Sequence, residues 1–215
     1  MATQVRKTRS EERILTAAAG LFYAHGLRGV GVDQVIAASG VAKSTLYVHF
    51  RTKEELVAAY LRRTDDAWTA QLQEAAGRAG DDPRQQLVGL FDALVDAFDR
   101  HGFFGCPFVS AAVEADLDSE AREITVRHTR RRQAWLADLA QRAGATAPRS
   151  LAAHIGLLID GALTSGRLLQ DRAVVAGAKA AARALVASAT GAPAATGAAA
   201  QPAQPAQPAQ PAQGK

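Results

Sequence analysis

Apolar residues recur at helical spacing along most of this chain. In the first such stretch a stripe of aliphatic and aromatic positions repeats every three or four residues and stops before Gly26, a residue type that commonly ends helices. The stripe consists of Ile14, Leu15, Ala18, Leu21 and Phe22. This pattern predicts a first helix from about Ser10 to His25.

Two short helices and a longer one are predicted next. The short helices lie near Asp33–Ser39 and Lys43–Phe50, and a tight glycine turn separates them. The fourth helix begins after Thr52, because Thr52 and Glu55 form a capping-box pattern that satisfies backbone N–H groups at a helix start. It extends toward Gly77–Gly80.

The pattern also predicts helices along the rest of the globular part. Asp82 and Pro83 supply an N-cap and a first-turn proline for a single helix that ends at His101-Gly102. Its apolar face consists of Leu87, Leu90, Phe91, Leu94, Val95 and Phe98. Further helices are predicted over Pro107–Asp116, Ser119–Ala143, Pro148–Asp171 and Arg172–Ser188. Strand signals are weak, so the predicted fold is all-α.

The chain divides into three segments of different character. Residues 1–52 hold the short helices and residues 53–190 the long ones, and the helix of residues 53–80 connects the two. Residues 191–215 contain four Gln-Pro-Ala units and no aliphatic or aromatic anchor. Such a segment buries too little surface to offset its ordering entropy, which predicts a disordered tail.

Charge is distributed unevenly along the chain. Residues 1–63 contain ten Lys and Arg against five Asp and Glu, a net charge of +5, although the whole chain carries only +4. A local basic excess is typical of a face that binds nucleic acid. No apolar run of about 18 residues and no signal-peptide core are evident, so we expect a cytoplasmic protein without a membrane partner. A single cysteine and five scattered histidines predict neither a metal site nor a cofactor.

The segment 26–56 has the pattern of a helix-turn-helix. Four apolar residues can pack together and fix the two short helices at a steep angle: Val35, Val41, Leu46 and Phe50. If Leu46 and Phe50 face inward, Ser44, Thr45 and Val48 face outward and are small enough for the helix to enter a major groove. Lys43 stands at the leading end of this helix, with His49 and Lys53 at its trailing end, where cations suit flanking phosphates.

These residues resemble the TetR family of regulators. The resemblance rests on Gly40-Val41, on Lys43 to Phe50 as KSTLYVHF, and on Lys53 to Leu56 as KEEL. It implies an N-terminal three-helix DNA-binding domain and a larger helical domain that binds an effector and dimerises. It places six residues at family DNA-contact positions: Lys43, Ser44, Thr45, Tyr47, His49 and Lys53. The chain departs from the family at Gly31, where members commonly have an N-capping threonine.

The second region is rich in large apolar side chains, which form either a plain core or the lining of an effector pocket. The resemblance favours the pocket. The predicted lining consists of Trp68, Phe91, Phe98, Phe103, Phe104, Cys106, Phe108 and Trp135. His128 and Asp160 are candidate polar anchors, although neighbouring arginines make a solvated face an equal alternative for His128.

The remaining predictions concern one thiol and one packing surface. Cys106 precedes a predicted helix start, where the helix dipole favours thiolate, so the alternative function is an electrophile- or redox-sensing repressor. Gly161, Ser165 and Gly166 allow close helix approach, and with the alanine-rich Val175–Val186 they resemble the family's subunit interface. We therefore expect a homodimer.

Two other classes of protein compete with a ligand-released repressor. An enzyme would need a nucleophile and a base, and Cys106 with His101 or His128 has no third orienting group, so no catalytic residue is predicted. An architectural DNA-binding protein would not need the aromatic-rich second region. The sequence therefore favours a regulator of double-stranded operator DNA released by a small apolar or aromatic effector.

Overall fold

A computed structural model describes residues 2–100 and 102–191 of the chain. His101 and nearly all of the predicted tail, residues 192–215, lie outside the described residues. Within the described residues the chain forms ten helices. They are α1 (Ala2–His25), α2 (Val32–Ser39), α3 (Lys43–His49), α4 (Lys53–Arg78), α5 (Pro83–Gly89), α6 (Asp92–Asp99), α7 (Pro107–Glu114), α8 (Glu120–Arg142), α9 (Pro148–Leu169) and α10 (Ala173–Thr190).

The all-α prediction is confirmed, and so are the local signals that start two of the helices. The Thr52 hydroxyl accepts the Glu55 backbone N–H at 3.1 Å, and the Glu55 carboxylate accepts the Arg51 N–H at 2.8 Å. The Asp82 carboxylate accepts the Arg84 N–H at 2.9 Å. The bonds to Thr52 and Asp82 each satisfy an N–H that the first helical turn leaves without an internal partner, and the bond to Glu55 holds the residue before the cap.

The prediction of one helix between Asp82 and His101 is wrong, because α5 ends at Gly89 and α6 starts at Asp92. Between them the Phe91 N–H bonds to Val88 O and the Leu94 N–H to Phe91 O, the tight i to i−3 pattern. Gly89 contacts Ala79, the residue that follows α4, so closely that a Cβ would not fit there. Glycine also weakens a helix interior. The residue that allows the close approach therefore also favours the end of α5 at this point.

The helices α1, α2 and α3 pack against one another, and α1 also packs against α4. Ile14, Val35, Leu46 and Leu56 are fully or almost fully buried in the shared core. Farther along α4, the rings of Phe22 and Tyr60 lie 5.4 Å apart between α1 and α4. The long helix α4 then continues into the second region, where it packs against α5, α6 and α8. Thus α4 physically joins the two parts of the molecule.

Helices α8, α9 and α10 pack in succession, and α9 and α10 each leave one side open. The open side of α9 consists of His154, Leu157, Gly161, Thr164 and Leu168. The open side of α10 consists of Ala173, Gly177, Ala180, Ala184 and Ser188. A Cβ added at Gly161 or Gly177 would meet nothing within 4 Å. Ser165 is half-buried between the open and the packed side.

The prediction that Gly166 lies on a surface for a second subunit is wrong. Gly166 is buried, and a Cβ there would lie 3.2 Å from Phe103 Cε1 and 3.6 Å from Phe98 Cε2. Its lack of a side chain admits these two rings of its own chain, so the close contact that the glycine allows is internal.

Helix α10 is apolar, but it is not a buried core helix. Over the part of the chain with described structure, it alone has the length and the mean hydropathy, 1.2, that would allow a membrane crossing. A single such helix is weak evidence of a span, and half of its residues are alanine, which is only mildly hydrophobic. The helix also carries Lys179, whose Nζ lies 2.6 Å from Asp92 Oδ1 of α6.

Candidate DNA interface and effector cavity

Helix α3 is anchored on one side and open on the other. Leu46 and Phe50 are buried in the core with α1 and α4, whereas Ser44, Tyr47 and Val48 are exposed. Of the three residues that the sequence pattern places on the outer face, Ser44 and Val48 are exposed and Thr45 is half-buried. Ser44 and Val48 on the outer face are small, so the backbone of this anchored helix can approach the floor of a DNA major groove.

The turn between α2 and α3 is held by a residue that the sequence analysis missed. Gly40 adopts the left-handed conformation, with φ of 61°, and its N–H bonds to Ile36 O. The Arg13 guanidinium of α1 donates to the carbonyl oxygens of Ser39, at 2.7 Å, and Gly40, at 3.2 Å. A charge-assisted bond thus closes the end of α2 against α1. The hydrophobic stripe of α1 gave no signal for it, because Arg13 lies beside the stripe.

Three of the predicted DNA contacts, Lys43, Thr45 and Lys53, differ in exposure and in their neighbours. Lys43 Nζ lies 3.1 Å from Asp33 Oδ1 of α2, and this carboxylate raises the lysine pKa. Both side chains are exposed, so Lys43 can exchange Asp33 for a phosphate at little cost. Thr45 and Lys53 are half-buried.

The side chain of His49 points toward α1, which corrects its prediction as a phosphate contact at the trailing end of α3. Its side chain is only 3% exposed. The ring Nε2 lies 2.6 Å from Ser10 Oγ, and Nδ1 lies 3.8 Å from a Glu11 carboxylate oxygen, both on α1. The imidazole therefore joins α3 to α1 and is not available to a phosphate in this arrangement.

A cavity of about 530 Å³ lies where α1 meets the second region. Residues of α1, α4 and α6, the segment 102–107 and Leu163 of α9 line it. Among the predicted pocket residues Trp68, Phe103, Phe104 and Cys106 are part of this lining. Tyr23 and Tyr60 also line it, although no sequence pattern pointed to either tyrosine. The volume falls within the range of small-molecule sites in proteins.

The cavity wall includes a direct hydrogen bond between the two parts of the molecule. The Phe104 backbone N–H donates to the Tyr23 hydroxyl at 3.1 Å, and the two rings meet edge to face with centroids 5.3 Å apart. Burial raises the pKa of Tyr23, so its hydroxyl stays protonated at neutral pH. A molecule in this cavity would touch α1 as well as α4.

A second link between the two parts lies at the end of α7. The Glu114 carboxylate accepts the Arg28 backbone N–H at 2.7 Å, in the loop after α1. Gly26 has φ of +78°, and a Cβ there would lie 2.7 Å from Glu114 Oε1. The glycine that ends α1 thus also makes room for a carboxylate 88 positions further along the chain.

The remaining predicted pocket residues do not line this cavity. Phe91 is fully buried in the core, and Phe98 packs on Phe103 with ring centroids 4.8 Å apart. Phe108 stacks on the His128 imidazole at 3.7 Å. Trp135 lines a separate, smaller cavity together with His128. Asp160, the other predicted polar anchor, pairs with Arg132.

Cys106 is buried, with 6% of its surface exposed, and its environment opposes ionisation. Burial raises the pKa of the thiol, although the backbone N–H groups of Val109 and Phe108 lower it. The helix-start effect expected from the sequence is therefore present, but the cost of desolvating a thiolate outweighs it. No group of three or more His, Cys, Asp or Glu that could hold a metal ion occurs in the described part of the chain.

Comparison with known proteins agrees with this geometry. The family model "Bacterial regulatory proteins, tetR family" matches residues 14–60, which run from α1 into α4. The repressor KstR2 of Mycobacterium tuberculosis is 34% identical over 101 residues, covering 47% of this chain and 49% of its own length. The activator FasR of Mycolicibacterium smegmatis is 36% identical over 93 residues, covering 42% of each chain. The chain thus matches about half the length of these curated relatives.

Similarity in three dimensions extends over most of the chain. A TetR-family transcriptional regulator from Streptomyces coelicolor superimposes with a TM-score of 0.80 and 27% identity, covering 85% of this chain and 97% of that one. The local match at the helix-turn-helix and the shared helical architecture agree, and the chain belongs to the TetR family of transcriptional regulators.

Proposed function

We propose that this protein is a repressor that binds double-stranded operator DNA as a homodimer in the cytoplasm and is released by a small apolar or aromatic effector. The observation that carries the proposal is the anchored α3, with Ser44, Tyr47 and Val48 exposed beside Lys43. KstR2 is named a repressor and FasR an activator. We propose that this chain represses transcription and does not activate it.

The division of labour follows the predicted domains. Residues 1–52 read the DNA, residues 53–190 bind the effector and dimerise, and α4 connects the two. Two contacts beyond α4 support this coupling: the Phe104 N–H bond to Tyr23 and the Arg28 N–H bond to Glu114. An effector can shift the DNA-reading helices only if it binds two arrangements of these contacts with different affinity.

Dimerisation is proposed through the open sides of α9 and α10. Leu157 is 68% exposed, and the glycines and alanines beside it would let a second copy approach closely. A two-fold dimer sets the separation of its two α3 helices, which must match successive major grooves about 34–36 Å apart. A change in that separation is the means by which an effector would release the DNA.

The experiment that tests the whole proposal has two stages. The full-length protein first selects its operator from random DNA, and the selected duplex is then used in a mobility-shift assay with candidate effectors. We expect a palindromic site and a shift that some apolar molecules relieve. Selection without any enriched sequence would contradict the proposal, and a shift that no effector relieves would favour an architectural protein.

Substitutions on α3 are expected to separate phosphate contact from base recognition. Lys43→Ala removes a cation that can reach a phosphate in each half of the dimer. Binding should therefore weaken on all sequences, and the slope of log K against log salt should fall by about 2. Thr45→Ala should instead change the preferred base and leave the slope unchanged. Measurements at several salt concentrations on selected and scrambled duplexes check both. An unchanged slope in Lys43→Ala would contradict this docking.

The thiol-sensing alternative makes a distinct prediction. Because Cys106 is buried and its pKa is raised, the native protein should react with N-ethylmaleimide at neutral pH far more slowly than the unfolded chain. Operator binding should survive the treatment. The single cysteine makes the stoichiometry unambiguous, and Cys106→Ser is the control for reaction elsewhere. Rapid modification of the native protein with loss of DNA binding would favour the thiol sensor.

A further inference from the structure

A buried cluster of charged side chains lies between α4 and α8, apart from the larger cavity. Asp65 of α4 lies 2.6 Å from His128 Nδ1 and 3.0 Å from Arg131 Nη2. Arg132 makes a two-pronged pair with Asp160 of α9, at 2.8 and 2.7 Å. The side chains of His128 and Arg132 are only 3% and 4% exposed.

Two nitrogens in this cluster are left without a partner. His128 Nε2 and Arg132 Nε are buried and have no hydrogen-bond partner among the described residues. Buried polar atoms in folded proteins are nearly always satisfied, by protein, by water or by a ligand. The other hydrogen bonds of His128 and Arg132, to Asp65 and Asp160, are well formed. The two unpartnered atoms therefore mark a place that a further group can occupy.

Of the two unpartnered atoms, one is a hydrogen-bond acceptor and the other is a donor. Asp65 accepts a bond from His128, so Nδ1 carries the proton in that contact. Burial lowers the pKa of His128, despite Asp65, and the neutral ring leaves Nε2 as an acceptor. Arg132 Nε carries a hydrogen and is a donor. A group that fits both atoms must donate one hydrogen bond and accept another.

A cavity lies at this position. It has a volume of about 180 Å³, and His128, Arg131, Arg132 and Trp135 line it from α8. Thr69, Leu72 and Gln73 line it from α4. His128 and Arg132 are one helical turn apart, so their side chains lie next to each other on one face of α8. Trp135 follows on the same face and supplies a flat apolar wall.

We propose that this cavity is a second small-molecule site, which binds a neutral hydroxylated ring, a phenol. The hydroxyl donates to His128 Nε2 and accepts from Arg132 Nε–H, while the ring packs on Trp135. Size supports a single ring, because an apolar protein cavity of about 150 Å³ is known to hold benzene. Charge supports a neutral ligand, because Asp160 already pairs with Arg132 and Asp65 with Arg131.

This site is independent of the DNA-binding proposal but bears on it. Asp65, which holds His128, is a residue of α4, the helix that joins the two parts of the molecule. A phenol in the small cavity would therefore contact the same helix as a ligand in the larger cavity. Its test needs no DNA, so its failure and the failure of the proposed function are distinguishable.

The chain offers a direct reporter for each cavity. It has two tryptophans, Trp68 in the larger cavity and Trp135 in the smaller one. In full-length Trp68→Phe, excited where phenol does not absorb, added phenol should change the Trp135 fluorescence saturably with one molecule bound per chain. In Trp135→Phe, the Trp68 fluorescence should stay unchanged. Calorimetry on the wild-type protein provides the stoichiometry without a reporter.

The hydroxyl is tested on the ligand, which avoids variants that fail to fold. Toluene has a ring of similar size without the hydroxyl, and it should bind about thirtyfold more weakly, because it can make neither of the two hydrogen bonds. His128→Phe should reduce the preference for phenol over toluene. Equal affinity for the two ligands, a response of Trp68 alone, or no saturable binding, as expected of a cavity that only holds water, would each overturn the proposal.

Discussion

Replacing Gly161 by glutamate is expected to convert the dimer into monomers and to abolish operator binding. Gly161 lies in the middle of the open side of α9, where a Cβ meets nothing within its own chain. The variant monomer should therefore fold normally. In a dimer the same carboxylate would be buried against a second subunit without a partner, which carries a large desolvation penalty. Sedimentation at micromolar concentration and a shift assay on the selected operator measure the two effects.

Two variants serve as controls for this experiment. Leu117→Glu places the same charge at an apolar position that is 81% exposed but lies outside α9 and α10, and it should stay dimeric. Gly166→Glu should behave differently from both, because its side chain would collide with Phe103 and unfold the monomer. A Gly161→Glu protein that remains a dimer would remove the open side of α9 from the interface.

Replacing Phe91 by alanine should cost about 3–5 kcal/mol of folding stability, the range for truncating a fully buried aromatic side chain. Phe104, which lines the larger cavity, should be much less critical. Phe104→Ala loses its edge-to-face contact with Tyr23, worth about 0.5–1.5 kcal/mol, while its backbone N–H bond to Tyr23 remains. Urea unfolding measured by circular dichroism checks both values.

The contrast between the two phenylalanines distinguishes core from cavity. Phe91→Ala should lower the midpoint of unfolding strongly, and Phe104→Ala should lower it slightly while changing the response of the operator complex to an effector. Similar slopes of the unfolding free energy against urea would show that the two-state comparison is valid. A larger loss for Phe104→Ala than for Phe91→Ala would contradict the structural distinction.

Features that depend only on residues close together in the chain could be predicted from the sequence. Thr52 with Glu55, and Asp82 with Pro83, define helix starts because capping joins groups only two or three positions apart. Gly40 defines the turn before α3 because the left-handed conformation suits glycine. The inward placement of Leu46 and Phe50 follows from helical spacing alone.

Features that join distant parts of the chain could not. Arg13, Tyr23 and Glu114 gave no signal, because their partners lie 26 to 86 positions away. His49 fits the motif of a DNA-contacting helix, yet its ring bonds to Ser10 of α1. Which side chain such a residue meets depends on how the helices pack, and short sequence patterns carry no information about that.

The aromatic residues and glycines show the same division. The sequence determined that phenylalanines are abundant between Asp82 and Phe108, but only packing decided that Phe91 fills the core and Phe104 lines a cavity. Gly161 and Gly166 look equivalent in the sequence, yet five residues of helix rotate the chain by about 140° from the starting direction. One glycine therefore faces outward and the other faces Phe103, because the neighbours of α9 decide which side of the helix is covered.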